Sequence, residues 1–165
     1  MTGAPARRFG LAEPHEVRGL SGREFLQGIV DGRLPGPPIG APLNFALVEV
    51  GDGFAAFEGE PSEALLNPMG TVHGGWALTL IDSATACACL SQLPSGAAMT
   101  TVETKGNFSR PILKDSGRVR CEGRVVARGR RIVSSEARVL DAAGRVLAHG
   151  TSTLMIVVDG AVLSA

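Results

Sequence analysis

One carboxylate stands inside the most apolar stretch of this sequence. Between Val72 and Val102, Asp82 is the only charged residue apart from the titratable His73. Burying a lone carboxylate is costly unless it is hydrogen-bonded, paired or used in chemistry. Such a group can act as a nucleophile or as the general base that activates a water molecule. An aspartate on a solvated helix face is the alternative, but the neighbours of Asp82 are apolar.

Two glycines mark the start of this stretch. Gly74 and Gly75 follow His73, and the turn-forming sequence NPMG at residues 67–70 precedes them. Free N–H groups at a helix start carry the positive end of the helix dipole, and a glycine has no side chain to keep an acyl group away. The Gly74 N–H is therefore a candidate oxyanion donor, with Gly75 beside it. Tight packing of the helix start against a strand is the alternative.

One helix and several strands must position these residues. The apolar run predicts a helix from Gly74 to Leu90. Alternation of apolar and polar residues predicts six strands, namely Leu43–Val50, Phe54–Glu60, Met99–Phe108, Arg118–Ala127, Ile132–Leu140 and Val146–Val157. Because tight turns connect most of these strands, we predict an α+β fold in which an antiparallel sheet wraps around a long central helix.

The N-terminal part of the chain differs from the rest. Residues 1–20 show no sustained periodicity, which predicts a loose arm. Ser21 and Glu24 match a capping box, which predicts a short helix that ends before Gly32. We therefore divide the chain into an N-terminal arm with a short helix, residues 1–33, and one domain, residues 34–165.

Composition narrows the range of functions. The chain has 165 residues, with 16 Lys and Arg against 16 Asp and Glu, so no global field draws it to nucleic acid or to a membrane. Its three cysteines are an odd number and fit a reducing compartment. With no signal peptide or membrane span evident, we predict a soluble cytoplasmic protein. We predict no metal, because His15, His73 and His149 are far apart and no Cys-x-x-Cys occurs. We also expect no cofactor.

Several separated motifs resemble one enzyme family. They are NPMGTVHGGWALTLID from Asn67 to Asp82, NFSRP from Asn107, GRR from Gly129 and GRVLA from Gly144. In this order they resemble the hotdog-fold acyl-CoA thioesterases, in particular the phenylacetate-pathway-like, or PaaI-type, branch, over roughly residues 34–158. The resemblance implies hydrolysis of a CoA thioester to a carboxylate and free CoA. It also implies homodimers that pair their sheets edge to edge, active sites at the dimer interface, and usually a homotetramer made of two such dimers.

The resemblance also implies roles for individual residues. Asp82 would be the nucleophile or general base, and Gly74 would supply the oxyanion N–H. Asn67 would bind the substrate carbonyl or the attacking water, although it could instead cap the turn before Pro68. His73 would orient the glycine turn through a ring hydrogen bond. Thr101 falls where related enzymes often place a hydroxyl near the nucleophile.

Basic and apolar residues are candidates for binding CoA and the acyl group. Arg128, Arg130 and Arg131 crowd one hairpin turn, and planar guanidinium groups suit phosphate. A solubilising turn is the alternative. Arg110 could bind CoA or brace a strand end. An alkyl or aryl pocket could be lined by Leu66, Met69, Trp76, Phe108 and Leu113.

The helix face that carries Asp82 suggests a contact between subunits. Thr79, Thr85 and Cys89 share that face and are predicted to form a narrow stripe that a second subunit approaches.

Two functions other than thioester hydrolysis stay open. An enoyl-CoA hydratase or dehydratase of the same fold would need His73 and Asp82 as an acid/base pair, formed across subunits. A non-catalytic acyl-CoA sensor is the second, although the arm is too short for a helix-turn-helix.

Overall fold

The computed structural model describes residues 8–158. These residues form three α-helices, α1 (Pro14–Val17), α2 (Gly22–Val30) and α3 (Gly74–Leu90), and six strands, β1 (Phe45–Gly51), β2 (Phe54–Gly59), β3 (Ala97–Phe108), β4 (Val119–Arg128), β5 (Ile132–Leu140) and β6 (Val146–Val158). The strands make one sheet in the order β1-β2-β4-β5-β6-β3, with every neighbouring pair antiparallel. The predicted α+β architecture is therefore confirmed. Helix α3 has the predicted bounds, and no strand end differs from its prediction by more than two residues.

Helix α3 packs against the sheet and forms the centre of the core. It contacts all six strands. Leu80, Ile81 and Ala84 of this helix are completely buried. The backbones approach closely at Gly123 of β4, where a Cβ atom would collide with the carbonyl group of Ala84. Because helix and sheet come so near to each other, short side chains can bridge them.

The N-terminal segment is more ordered than predicted. The loose-arm prediction is wrong for residues 14–17, where Pro14 at the first turn and a capping box formed with Glu13 support α1. Residues 1–7 of the predicted arm lie outside the described residues. The predicted capping box of α2 is present, because Glu24 accepts from the Ser21 N–H at 2.8 Å and Ser21 accepts from the Glu24 N–H at 3.3 Å. Leu26 of α2 is 2% exposed and belongs to the core.

Strand β3 forms one edge of the sheet, and its regular alternation is interrupted once. Thr101 pairs with Leu154 of β6 and Glu103 pairs with Thr153, which leaves Val102 as the extra residue of a β-bulge. The two threonines at 101 and 104 both reach α3, although an odd spacing in a regular strand would put them on opposite faces. The bulge thus places two hydroxyl groups on the same side of the sheet.

Within residues 8–158, the structure has no helix both long enough and apolar enough to cross a membrane.

Candidate active site

Asp82 lies about two turns into α3, half-buried in an open depression of about 420 Å³. Its Oδ1 atom accepts hydrogen bonds from the hydroxyl groups of Thr101 at 3.0 Å and Thr104 at 2.9 Å. No hydrogen bond reaches Oδ2 from the part of the chain that the structure describes. The two threonines therefore fix the carboxylate by one oxygen and leave the other oxygen free to react.

Apolar side chains line the depression beside this carboxylate. Leu78 comes from α3 and Val102 from the bulge of β3, while Ile39 comes from the short 3₁₀ turn Pro38–Gly40 in the proline-rich connector. Ile39 is 48% exposed and Val102 is 59% exposed. Such a wall suits an apolar group next to a reacting carboxylate. Neither Ile39 nor Val102 was predicted as a site residue, because the connector carries no motif and the bulge has no local sequence signal.

A chain of hydroxyl groups continues from Asp82 into the core. Thr104 Oγ1 lies 2.9 Å from Ser152 Oγ, and Thr85 Oγ1 lies 2.7 Å from the same Ser152 atom. Thr85 is completely buried and Ser152 is 2% exposed. Thr104 and Ser152 were not predicted as site residues, because the position of Thr104 depends on the bulge and Ser152 is one of several small polar residues in β6.

The start of α3 forms the second half of the site, which is separate from the half that contains Asp82. The His73 ring accepts a hydrogen bond from the Gly75 N–H through Nδ1 at 2.9 Å, so this histidine caps the helix. The Gly74 N–H has no acceptor among residues 8–158. Gly74 lines a second depression of about 310 Å³ together with Asn67, Phe108 and Arg110. The Phe108 ring lies against Gly74.

Asn67 holds the turn that precedes the helix. Its side-chain oxygen accepts from the N–H of Met69 at 2.9 Å and from that of Thr71 at 3.3 Å, while its amide group donates to Thr71 Oγ1 at 2.9 Å. This is the turn-capping arrangement that was the alternative for Asn67. A contact between Asn67 and the substrate stays a prediction.

The two halves of the site are far apart within one chain. Gly74 and Asp82 are eight residues apart, which corresponds to about 12 Å along a helix. A reacting carbonyl group must lie within roughly 3 Å of both the oxyanion donor and the nucleophile. The structure therefore does not bring Gly74 and Asp82 of the same chain to one substrate. It does not pair His73 with Asp82 of the same chain either.

The four candidate arginines lie at two different places. Arg110 lines the depression at the helix start and donates to the Val146 carbonyl at 2.6 Å. Arg128 donates to the Gln92 carbonyl, beyond the other end of α3, at 2.8 Å. Arg130 and Arg131 are exposed in the adjacent β4–β5 turn. One candidate thus lies beside Gly74, and three lie at the opposite end of the helix.

Two sequence-based predictions about α3 are wrong. Trp76 does not line a pocket, because it is 3% exposed and its indole N–H donates to the Leu43 carbonyl at 2.7 Å. Thr85 and Cys89 do not form a surface stripe with Thr79. Thr85 faces the sheet, and Cys89 packs in an apolar cluster with residues of β5, β6 and the loop after α3, because the sheet covers the C-terminal half of the helix.

Cys87 is not a competing nucleophile. Burial raises the pKa of its thiol to about 12, and the negative charge of Asp82 adds to the rise. The thiol is therefore protonated at neutral pH, and a protonated thiol is a poor nucleophile. Within residues 8–158, no group of three or more His, Cys, Asp or Glu side chains is arranged to hold a metal ion.

Comparisons with known proteins bear on the family to which the fold belongs. A model of the thioesterase superfamily matches residues 69–148. A thioesterase family protein from Silicibacter pomeroyi is 30% identical, with 73% of this chain and 90% of that chain covered and a TM-score of 0.68. A phenylacetic acid degradation-related protein of Ralstonia eutropha JMP134 is 26% identical, over 79% of this chain and 98% of that one, with a TM-score of 0.72.

The PaaI protein from the phenylacetic acid degradation operon of E. coli shares the fold at 22% identity, over 72% of this chain and 83% of that chain, with a TM-score of 0.66. A search of curated proteins gave no significant match. A long helix wrapped by one six-stranded sheet, together with these similarities, defines a thioester hydrolase of the hotdog class. The chain belongs to the thioesterase superfamily and resembles its PaaI-type members.

Proposed function

We propose that this protein hydrolyses the thioester of an alkyl- or aryl-CoA, with Asp82 as the reacting carboxylate. The observation that carries the proposal is the free Oδ2 atom of Asp82, held beside an apolar wall by two hydroxyl donors on Oδ1. A medium-chain acyl group or an aromatic ring would lie against Ile39, Leu78 and Val102. CoA would leave towards solvent through the open side of the depression.

The reaction needs a donor for the carbonyl oxygen and a nucleophile for the carbonyl carbon. The Gly74 N–H supplies the donor as negative charge grows on the oxygen. Asp82 Oδ2 either attacks the carbon and expels the CoA thiolate, leaving an anhydride that water cleaves, or removes a proton from a water molecule that attacks instead. Both routes consume one water molecule and release one carboxylate, one CoA thiol and one proton.

Because Gly74 and Asp82 of one chain are about 12 Å apart along the helix, we assign the complete site to two chains. Strand β3 can pair with the same strand of a second chain, since it is a 12-residue edge strand with unpaired backbone groups on its outer side. Thr101 and Thr104, which belong to the Asp82 half of the site, lie along this strand. Phe108, which belongs to the Gly74 half, lies at its end. A two-fold homodimer that pairs these edges would contain two identical shared sites. A dimer of such dimers is the proposed homotetramer.

Release of free CoA thiol tests the proposal. The wild-type protein should liberate thiol from at least one member of a panel of alkyl- and aryl-CoA thioesters, and the free acid should appear in equal amount. Loss or gain of a double bond without thiol release would instead indicate a hydratase. Binding that raises the melting temperature without turnover would indicate an acyl-CoA sensor. The cytoplasmic location also stays a prediction, to be tested by cell fractionation.

Replacing both Arg130 and Arg131 with alanine should weaken CoA binding. These exposed guanidinium groups are proposed to contact the CoA phosphates, so we expect KM for acyl-CoA to rise by roughly tenfold while kcat stays the same. The dependence of KM on salt should also become weaker. A short thioester without the nucleotide is the control, and its KM should not change. An equal loss on both substrates would show that the two arginines do not contact the nucleotide.

A further inference from the structure

We propose that Ser152 and Thr85 are positioning residues for Asp82, acting through Thr104 in a one-way chain of hydroxyl hydrogen bonds. The chain holds Oδ1 as an acceptor and thereby makes Oδ2 the reacting oxygen. This inference rests on the proposed function, because it concerns the geometry of the same carboxylate. None of the three residues was predicted to orient the nucleophile in this way.

The direction of the chain follows from counting hydrogen atoms. An ionised carboxylate only accepts, so Thr104 must use its single hydroxyl hydrogen towards Asp82 Oδ1 at 2.9 Å. The contact of 2.9 Å between Thr104 and Ser152 therefore requires Ser152 to donate. Ser152 then has no hydrogen left, so the 2.7 Å contact requires Thr85 to donate to Ser152. This contact is shorter than those from the same Thr85 hydroxyl to the Ile81 carbonyl at 2.9 Å and the Asp82 carbonyl at 3.0 Å. Every hydroxyl in the chain donates towards the carboxylate.

This order polarises each hydroxyl group and restricts its rotation. A hydroxyl that already accepts a hydrogen bond is a stronger donor, and chains of this kind strengthen each other in an interior of low dielectric. Ser152 also stops Thr104 from turning its hydrogen away from Asp82. Because a shift of about 1 Å in a reacting group can reduce turnover on the order of 100-fold, a fixed Thr104 hydroxyl matters for the rate.

The fold holds the chain at a defined place. Thr104 and Ser152 are register partners on β3 and β6, and Ser152 is the register partner of Ser135 on β5. Helix α3 supplies Thr85 from above this row. When all partners of a buried hydrogen-bonded set are replaced by apolar groups of the same shape, the cost to stability is small. Stability alone therefore does not require this polar row inside the core.

Ser152→Ala is a mild change for the fold. Without Ser152, the Thr85 hydroxyl can donate to the Ile81 carbonyl, which is already 2.9 Å away. Thr104 keeps its acceptor on Asp82, so the substitution leaves no buried donor without a partner. The matched control is Ser135→Ala. Ser135 is 1% exposed and lies in the same row, but its hydroxyl has no partner among the described residues.

The experiment measures kcat and KM for the best CoA thioester. Ser152→Ala should lower kcat on the order of tenfold without changing KM, whereas Ser135→Ala should leave both unchanged. Thr85→Val should resemble Ser152→Ala, and Thr85→Ser, which restores the hydroxyl, should recover most of the loss. A kcat within about twofold of wild type for Ser152→Ala, or an equal loss in Ser135→Ala, would overturn the proposal.

A double-mutant cycle separates positioning from general weakening of the core. If Ser152 acts through Thr104, then adding Ser152→Ala to Thr104→Val should cause no further loss of kcat. An independent loss would overturn the proposal. Asp82→Asn, measured in parallel, distinguishes failure of the proposed function from failure of the hydroxyl chain alone. Full activity in Asp82→Asn would overturn the proposed function together with the chain, while an inactive Asp82→Asn beside an unimpaired Ser152→Ala would overturn the chain alone.

Discussion

Asp82→Asn is expected to lower kcat by at least about 100-fold, and by on the order of 10⁴ or more if Asp82 attacks the thioester directly. Asparagine keeps the shape of the side chain, and its carbonyl oxygen can still accept from Thr101 and Thr104, so the fold should be unaffected. The amide group that replaces Oδ2 is neither a nucleophile nor a base. Thiol release and the melting temperature of the variant are the measurements.

The matched control removes another carboxylate near the same depression. Glu103 is exposed and accepts from Thr153 Oγ1 at 3.3 Å, so it is already engaged by the sheet. Glu103→Gln should change kcat by less than about tenfold, because solvent screens an exposed charge. Comparable losses of kcat in both variants would mean that turnover depends on the negative potential of the depression. Asp82 would then no longer be the reacting group.

Gly74→Pro is expected to lower kcat by about 100- to 1,000-fold, the usual cost of losing one oxyanion donor. Proline lacks the N–H group but suits this position, because Gly74 is the first residue of α3. His73 before it is extended, with φ −60° and ψ 131°, which is compatible with a following proline. Gly74→Ala is the control, since it adds a Cβ atom and keeps the N–H. Kinetics of thiol release should separate the two variants.

The added atoms should not unfold the protein. A Cβ at Gly74 would lie 3.1 Å from the Phe108 ring, the end of a side chain that is 56% exposed and able to move. If Gly74→Ala loses as much activity as Gly74→Pro, the effect is crowding by the new atoms. The N–H would then be dismissed as the oxyanion donor.

The same two variants reveal whether the site is shared. Asp82→Asn and Gly74→Pro homodimers should each be nearly inactive. A heterodimer of the two, isolated with a different tag on each chain, would contain one site with both changes and one intact site. It should therefore recover about half of the wild-type activity if each site takes one half from each chain. A heterodimer as inactive as its parents would place the complete site within one chain, and a heterodimer of Asp82→Asn with Asp82→Ala is the negative control.

Periodic patterns predicted the elements of this fold well. Helix α3 and strand β5 have the bounds that the sequence predicts, because the apolar run of one and the strict alternation of the other are long and uninterrupted. The capping box at Ser21 correctly predicted the start of α2, because its hydrogen bonds join residues that are close in the sequence. Helix α1 was missed, because four residues are too few to show a period.

The prediction of the site was less complete. Asp82 could be selected because a lone carboxylate in an apolar run is conspicuous, and a resemblance to known enzymes suggested Thr101. Thr104 and Ser152 could not, because their contacts depend on which residue of β3 bulges and on the pairing of two strands that are distant in the chain. The burial of Cys89 was missed because helical spacing alone does not tell how far a sheet extends along a helix.

The bulge at Val102 acts on β3 as a phase shift of one residue. Strand residues alternate between the two faces, so the residues before the bulge have one phase and the residues after it have the other. Deleting Val102 would turn Thr101 away from Asp82, although the identity of every residue that contacts Asp82 would be unchanged. The geometry around the carboxylate is therefore encoded in the number of residues in β3 as much as in their identity. When relatives are aligned here, residues should be matched by the face of the strand they occupy, with a gap placed at the bulge.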